Sequence, residues 1–174
     1  MNTRPALRVL NGGVEANVAW SWFCGHCAAP SPTGVAPVPS ARVCGACGFG
    51  LLLETREDAV PTARDAFVIV DSSLLVQGIS HEAELLLATV EELAIGRPVG
   101  ELLVPADAES QGPAGFAAKI VLAADGEDPQ TARCTLRPRS TFGVRLRARV
   151  ATCGPPRAAL VVLEAPARPV LRAV

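Results

Sequence analysis

Aromatic side chains are scarce in this chain: its 174 residues hold no tyrosine, two tryptophans and five phenylalanines. Stacking on a large planar chromophore is poorly provided for. Histidine is scarcer still, since His26 and His81 are the only two and neither has a motif partner. There is no Ser/His/Asp arrangement, no phosphate-binding glycine loop and no carboxylate pair tied to a motif, so enzymatic activity is not expected. Long apolar runs are absent too. The longest, Ala158 to Leu163, falls far short of the ~20 residues a membrane-spanning helix needs. Met1-Asn2-Thr3-Arg4-Pro5 leads into no apolar stretch with a small-residue cleavage site, so no secretory signal is read and the expected location is cytoplasmic. Kinase, cyclase and helix-turn-helix segments are also missing, which leaves protein contact as the route for any signal.

Charged residues are 19% of the chain and apolar ones 49%, a balance that favours a packed core over disorder. The length fits one ordinary domain, or a small and a medium one. A formal net charge of -1 hides a segregation: residues 1–64 carry +1, residues 65–128 carry -10 and residues 129–174 carry +8. The acidic and basic parts compensate within one fold or serve as docking faces.

Cys24 and Cys27, then a gap of 16 residues, then Cys44 and Cys47 repeat a Cys-x2-Cys spacing that matches four-cysteine zinc sites. Two residues between cysteines let a tight turn aim both sulfurs at one ion, and two such turns complete a tetrahedron. Four thiolates leave no open coordination position, so the expected role of a Zn2+ ion, one per chain, is structural. Gly25, Gly45 and Gly48 supply backbone freedom to the turns. The two knuckles, Cys24-Gly25-His26-Cys27 and Cys44-Gly45-Ala46-Cys47-Gly48, resemble those of zinc ribbon families over residues 18–53. Val18, Trp20 and Trp22 alternate before the first, and Phe49, Leu51 and Leu53 after the second, as strands would. Residues 28–40 hold four prolines and no charge, which reads as a loop. His26 is expected to be an exposed turn histidine rather than a ligand.

Trp22-Phe23-Cys24-Gly25-His26-Cys27 also resembles the active-site stretch of thioredoxin-like oxidoreductases, in which a helix N-terminus activates the first thiol. Here a proline-rich loop follows, and the second cysteine pair stays unexplained. A thiol redox protein using Cys24 and Cys27 is therefore the alternative. Zinc ribbons that bind nucleic acid need phosphate-neutralising cations, yet Arg42 is the only charge between Val18 and Leu53. The module is expected to pack on a protein surface through Trp20, Trp22 and Phe49.

Polar residues 54–64 read as a linker. Beyond them Phe67 to Val70 and Leu74 to Ile79 form a hairpin around Asp71-Ser72-Ser73. Ser80 caps a helix with Glu82 and Glu84 in its first turn and a stripe of Ala83, Leu86, Leu87 and Val90. Gly96-Arg97-Pro98 interrupts it, a short turn runs to Pro105, and Pro113 to Ala124 reads as a helix with Phe116, Ile120 and Ala123 or Ala124 on one face. Three antiparallel strands follow, around Cys134 and Leu136, around Val144 to Val150, and over Ala158 to Leu163.

This order resembles the PAS domain family over residues 65–165, as does a loose motif: Ile69-Val70-Asp71, Ile79 to Leu86, and Gly96-Arg97-Pro98 leading to Pro105-Ala106-Asp107. The resemblance implies a five-stranded antiparallel sheet with helices on one face, and sensing or partner binding rather than catalysis. A flavin photoreceptor of that family needs a cysteine that residues 80–112 lack, and a haem sensor needs an axial histidine that Pro113 to Ala124 lacks, so neither cofactor is expected. A packed core or a small apolar ligand remains. Cys134 shares the face of Leu136 and is expected to be a buried, inert thiol, whereas Cys153, at a strand end, is expected to be more exposed.

Period-2 spacing places Arg133, Arg137 and Arg139 on one face of a strand and Arg145, Arg147 and Arg149 on one face of its neighbour. If the strands pair, six guanidiniums share the outer sheet face. They form either a solvated surface with acidic neighbours or an interaction face for an acidic protein, a second copy or, as a further alternative, nucleic acid. The expected fold class is α+β: residues 1–17 a tail, 18–53 a zinc ribbon, 54–64 a linker, 65–165 a PAS-like sensor or interaction domain, and 166–174 a tail. The function expected of it is that of a non-enzymatic signalling or regulatory protein that works through protein contacts.

Overall fold

The computed structural model describes residues 19–31, 36–106, 113–126 and 130–164, which form eight strands, three α-helices and three short 3-10 helices. Both expected tails, Val18 and part of the proline-rich loop lie outside those residues. The strands are β1 (Trp20–Cys24), β2 (Leu52–Arg56), β3 (Ala66–Val70), β4 (Val76–Ile79), β5 (Leu103–Pro105), β6 (Ala132–Pro138), β7 (Leu146–Gly154) and β8 (Ala158–Leu163). The α-helices are α1 (His81–Leu87), α2 (Glu91–Ala94) and α3 (Pro113–Asp125).

Local chemistry sets several of these boundaries. The Asp71 carboxylate accepts from the backbone N–H of Ser73 and of Leu75, each at 2.9 Å, and so closes the turn between β3 and β4. Ser80 Oγ accepts from the N–H of Ala83 at 3.2 Å, capping α1, and from the N–H of Phe67 at 2.9 Å, tying that cap to β3. The expected stripe through Val90 is cut short. Ala88 turns left-handed at φ 51°, and the Glu84 carboxylate accepts from the Glu91 N–H at 2.9 Å, which starts a new helix and leaves Val90 exposed. α3 matches its expected span and ends before Gly126, whose φ of 71° suits glycine.

All eight strands join one antiparallel sheet. Strands β4, β3, β8, β7 and β6 run side by side in that order, and helices close over one face, burying Val68, Val70, Ile120, Leu136, Val150 and Val161 among others. This is the five-stranded antiparallel arrangement that the PAS resemblance implies. The total strand count differs from the expected one. Residues Leu103–Pro105, read as part of a turn, form β5 against β6. The N-terminal hairpin is also part of the sheet, because β7 is long enough to share one edge between two neighbours. Its first half pairs with β6, and its end pairs with β2 through Glu54↔Gly154 and Thr55↔Cys153.

Residues 54–64 are accordingly no free linker. They finish β2, bury Thr55 and Ala59, and pass through a short 3-10 turn at Glu57–Ala59. Polarity misleads there because Thr55 uses its hydroxyl internally, donating to the Thr152 carbonyl at 2.8 Å.

The sheet face opposite the helices is divided. Its half formed by β3, β8 and the end of β7 lies under the N-terminal hairpin, where Phe23, Ala28 and Leu53 pack on Phe67, Ile69, Leu160, Val162 and Cys153. Its other half, on β6 and the start of β7, carries the arginines. This accounts for the two sequence textures: β3 and β8 are buried on both faces and read as continuous apolar runs, whereas β6 and β7 alternate.

Candidate metal centre

The hairpin β1–β2 carries the cysteines. Trp20–Cys24 delivers the first thiol at the end of a strand, and Cys27 follows after a tight turn in which the Ala28 N–H bonds the Cys24 carbonyl at 3.1 Å. The second knuckle is built alike, with the Gly48 N–H on the Cys44 carbonyl at 2.9 Å and φ 73° at Gly48. A Val43↔Leu51 bridge brings the two sides of that knuckle together, and regular pairing begins at Leu52. Phe49, expected in the strand, instead lies in the turn and is 83% exposed.

The four sulfurs converge. Cys24 Sγ lies 3.6 Å from Cys47 Sγ and Cys27 Sγ 3.9 Å from Cys44 Sγ, with all four within 4.8 Å of one another. A tetrahedron with metal–sulfur bonds of about 2.3 Å has sulfur–sulfur edges of about 3.8 Å, so the donor set fits a single ion. Backbone donors support it: the N–H groups of His26 and Cys27 point at Cys24 Sγ, that of Ala46 at Cys44 Sγ and that of Gly50 at Cys47 Sγ, at 3.4–3.5 Å. Gly50 has a steric role as well. A Cβ there would stand 2.3 Å from Cys24 Sγ and 2.7 Å from His26 Cβ.

Electrostatics follow from this crowding. Burial pushes the Cys24 and Cys27 thiols up. Burial acts the same way on Cys47, but the N–H groups of Gly50 and Phe49 and the thiols of Cys24 and Cys27 outweigh it and bring Cys47 down to about 6. Hydrogen bonds thus favour charge on the Cys47 sulfur, and a cation at the centre would favour ionisation of Cys24 and Cys27 beside it. An activated thioredoxin-like thiol needs a helix N-terminus. Here Cys27 is followed by Ala28 at φ 60° and by the Phe23↔Pro30 bridge, and the Cys24 sulfur faces Cys47.

His26 is not one of the converging ligands, nor is it simply an exposed turn residue. Its side chain is 24% exposed, with Nδ1 3.7 Å from the Glu91 carboxylate, and its carbonyl accepts from the His81 N–H at 3.3 Å. The first knuckle therefore touches the segment joining β4 to α2. Sequence reasoning had no signal for this contact, since His26 and Glu91 are 65 positions apart.

The hairpin's packing partner is this chain's own sheet, and the anchors are not the expected ones. Phe23 stacks edge-on against Phe67, with ring centroids 5.9 Å apart at 79°, while Trp22 packs on the cysteines and Trp20 is half-exposed. Arg42, the one charge of the module, donates to the carbonyls of Leu52 and of Pro155. Cys153, expected to be more exposed, is buried under the hairpin, and burial pushes its thiol up to about 12. Cys134 is half-buried against the helix-covered core, with its thiol also raised by burial. The two thiols thus occupy opposite faces of the sheet.

Among the arginines, Arg133 and Arg149 stand directly opposite each other on β6 and β7. Glu164 lies between them, 3.8 Å from Arg133 and 3.4 Å from Arg149, and Arg149 also reaches Asp65 at 3.8 Å and the Asp58 carbonyl at 2.9 Å. Arg149 is therefore held within the fold. Arg137 lies over the Phe142 ring, 5.1 Å from its centroid, and Arg139 donates to the Gly100 carbonyl at 3.1 Å. Arg133, Arg139, Arg145 and Arg147 are exposed. The six do not form one uniform cationic surface, because chain neighbours occupy several of them.

No protein-family model matches the chain, and no curated protein matches its sequence. Solved structures do. A PAS domain from Colwellia psychrerythraea is 20% identical over 57% of this chain and 84% of its own length, with a TM-score of 0.43. The PAS domain of nitrogen regulation protein NR(II) from Vibrio parahaemolyticus is 15% identical over 57% and 87%, with a TM-score of 0.39. The photoactive yellow protein domain of the sensor histidine kinase Ppr from Rhodospirillum centenum is 17% identical over 59% and 85%, with a TM-score of 0.42. Among the described residues, no helix is long and apolar enough to cross a membrane.

Proposed function

We propose that this protein is a non-enzymatic regulatory protein in which a zinc-bound four-cysteine hairpin is docked on a PAS-like sensor or interaction domain. The observation that carries the metal half is the convergence of Cys24, Cys27, Cys44 and Cys47 at the edge lengths of a tetrahedron. Four soft thiolates in that shape suit Zn2+, which would supply a closed structural crosslink and no reactive position. The chain's own residues do the remaining work: backbone N–H groups hold sulfur charge, Gly50 leaves room for Cys24, and Phe23, Ala28 and Leu53 seat the hairpin.

The regulatory half rests on the order of elements and on the five antiparallel strands with helices over one face. Signal output would pass through contacts with another protein. The exposed Arg133, Arg139, Arg145 and Arg147, beside a Phe142 that is 84% exposed, form the face offered to an acidic partner surface.

Affinity purification of the wild-type chain and of the Arg133→Glu/Arg147→Glu variant, with cross-links mapped by mass spectrometry, tests this. The reading expects a partner retained by the wild type, cross-linked to β6 and β7, and lost on charge reversal. A partner set unchanged by the reversal would remove this face from the account.

A further inference from the structure

The hairpin and the sheet differ in what holds each of them together. Among the described residues the main core contains none before Ala66; it is assembled from β3 onward and from the helices. The hairpin's own small core is Trp22, Cys24, Cys44 and Leu52, with Cys27, Ala29 and Cys47 against it, so most of its interior is the ligand set itself. A unit of some 36 residues with such a core is below the size that folds without a metal or crosslink. Its backbone connection to the larger sheet is two register pairs at the end of β7.

Several of its other attachments come from residues next to the ligands. Phe23 precedes Cys24, Ala28 follows Cys27, and Gly25 lies so near the sheet that a Cβ there would be 3.1 Å from Ile69 Cδ1. Arg42, two positions before Cys44, reaches Pro155, and His26 reaches His81 and Glu91. The conformation of the knuckles therefore sets the position of these anchors, beside which Leu53 of β2 packs on the sheet.

We propose that the four-cysteine hairpin is a metal-dependent latch on the outer face of the sheet. With the ion bound, the hairpin stays docked over Phe67, Ile69, Leu160, Val162 and Cys153. When the ion leaves, the knuckles lose their fixed shape, and the hairpin lifts while the main core stays folded. Opening uncovers an apolar strip continuous with the arginine half of the same face and releases the contact between His26 and the α1–α2 segment. This rests on the metal reading above.

Cys153 reports the state of the latch, because it is buried beneath the hairpin, while Cys134 lies on the opposite face and serves as the control. The full chain, loaded with zinc, is treated with iodoacetamide before and after a chelator, and alkylation of each cysteine is followed by peptide mass mapping alongside far-UV circular dichroism. Chelation is expected to raise the Cys153 rate at least tenfold, to change Cys134 less than twofold and to preserve the sheet signal. Cys47→Ser, placed in the knuckle away from the sheet, is expected to reproduce this without chelator. A Cys153 that stays protected after the four ligand thiols become reactive overturns the latch, as does simultaneous exposure of Cys134 with loss of the sheet signal. If zinc and chelator leave the reactivity of the four ligand thiols unchanged, the metal reading itself fails and the latch falls with it.

Discussion

Phe23→Ala is the substitution that most directly probes how the hairpin is held. Phe23 is fully buried, belongs to the hairpin, and meets Phe67 of the sheet edge-on at 5.9 Å. Truncating a buried phenylalanine to alanine costs about 3–5 kcal/mol, of which about 1 kcal/mol belongs to the ring pair. Collapse of the surrounding Ala28, Leu53 and Ile69 would recover little, since each is already fixed by strand or knuckle. We therefore expect a loss of about 3.5 kcal/mol, which at an m-value of about 2 kcal/mol per M lowers the urea midpoint by about 1.7 M. Tryptophan fluorescence is the suitable probe because Trp20 and Trp22, the chain's two tryptophans, both lie in β1. Far-UV circular dichroism, dominated by the main sheet, should move less. A double-mutant cycle with Phe67→Ala should give a coupling of about 1 kcal/mol. A fluorescence midpoint within about 0.5 M of the wild type would refute the claim that Phe23 anchors the hairpin.

Other outcomes follow from single contacts. The Glu84 carboxylate accepts the Glu91 N–H and faces His81, and these partners hold its pKa below the usual range. Its contribution is therefore full above the ordinary carboxylate pKa and is lost as pH falls through the lower folded value. Glu84→Gln should cost about 1.5 kcal/mol at neutral pH, and the urea midpoints of variant and wild type should converge in acid; a constant gap at every pH would contradict this. Arg149→Ala, which strips partners from Asp65, Glu164 and the Asp58 carbonyl, should cost about 2 kcal/mol in urea unfolding. Arg147→Ala, on the exposed side of the same strand, should stay within about 0.5 kcal/mol.

Much of the fold was legible because its elements carry strong local signals. The cysteine spacing brought four sulfurs together as expected, Ser80 caps α1, and Phe116, Ile120, Ala123 and Ala124 are buried on one face of α3. The errors share a physical origin. Where the chain bends back on a distant segment, local pattern carries no information. Ala88 gives no sign of a left-handed stop, because the event that fixes it is the Glu84 carboxylate capturing the Glu91 N–H. Leu103 to Pro105 is too short to show a period, and only β6 makes it a strand. Cys153 looked like an exposed strand end because nothing near it in sequence reveals that Phe23, 130 positions earlier, covers the same patch. One clue was present in the sequence: β3 and β8 are apolar at every position, which requires a layer on both faces, and the helices supply only one.

The arginine alternation was also legible, but its meaning was not. Period 2 put Arg133 and Arg149 on one face, yet it could not show that Glu164, the next residue after β8, returns between them. A charge count over a segment treats all six guanidiniums alike, whereas the fold holds Arg149 and leaves Arg147 exposed.

Zinc binding by the four cysteines is the central claim, and elemental analysis of the full chain purified without added metal, paired with a count of reactive thiols, tests it most directly. The account predicts about one zinc per chain, with Cys24, Cys27, Cys44 and Cys47 unreactive until a chelator is added. Metal-free protein in which those four thiols react freely, or in which Cys24 and Cys27 form a reversible disulfide that zinc does not prevent, would contradict it.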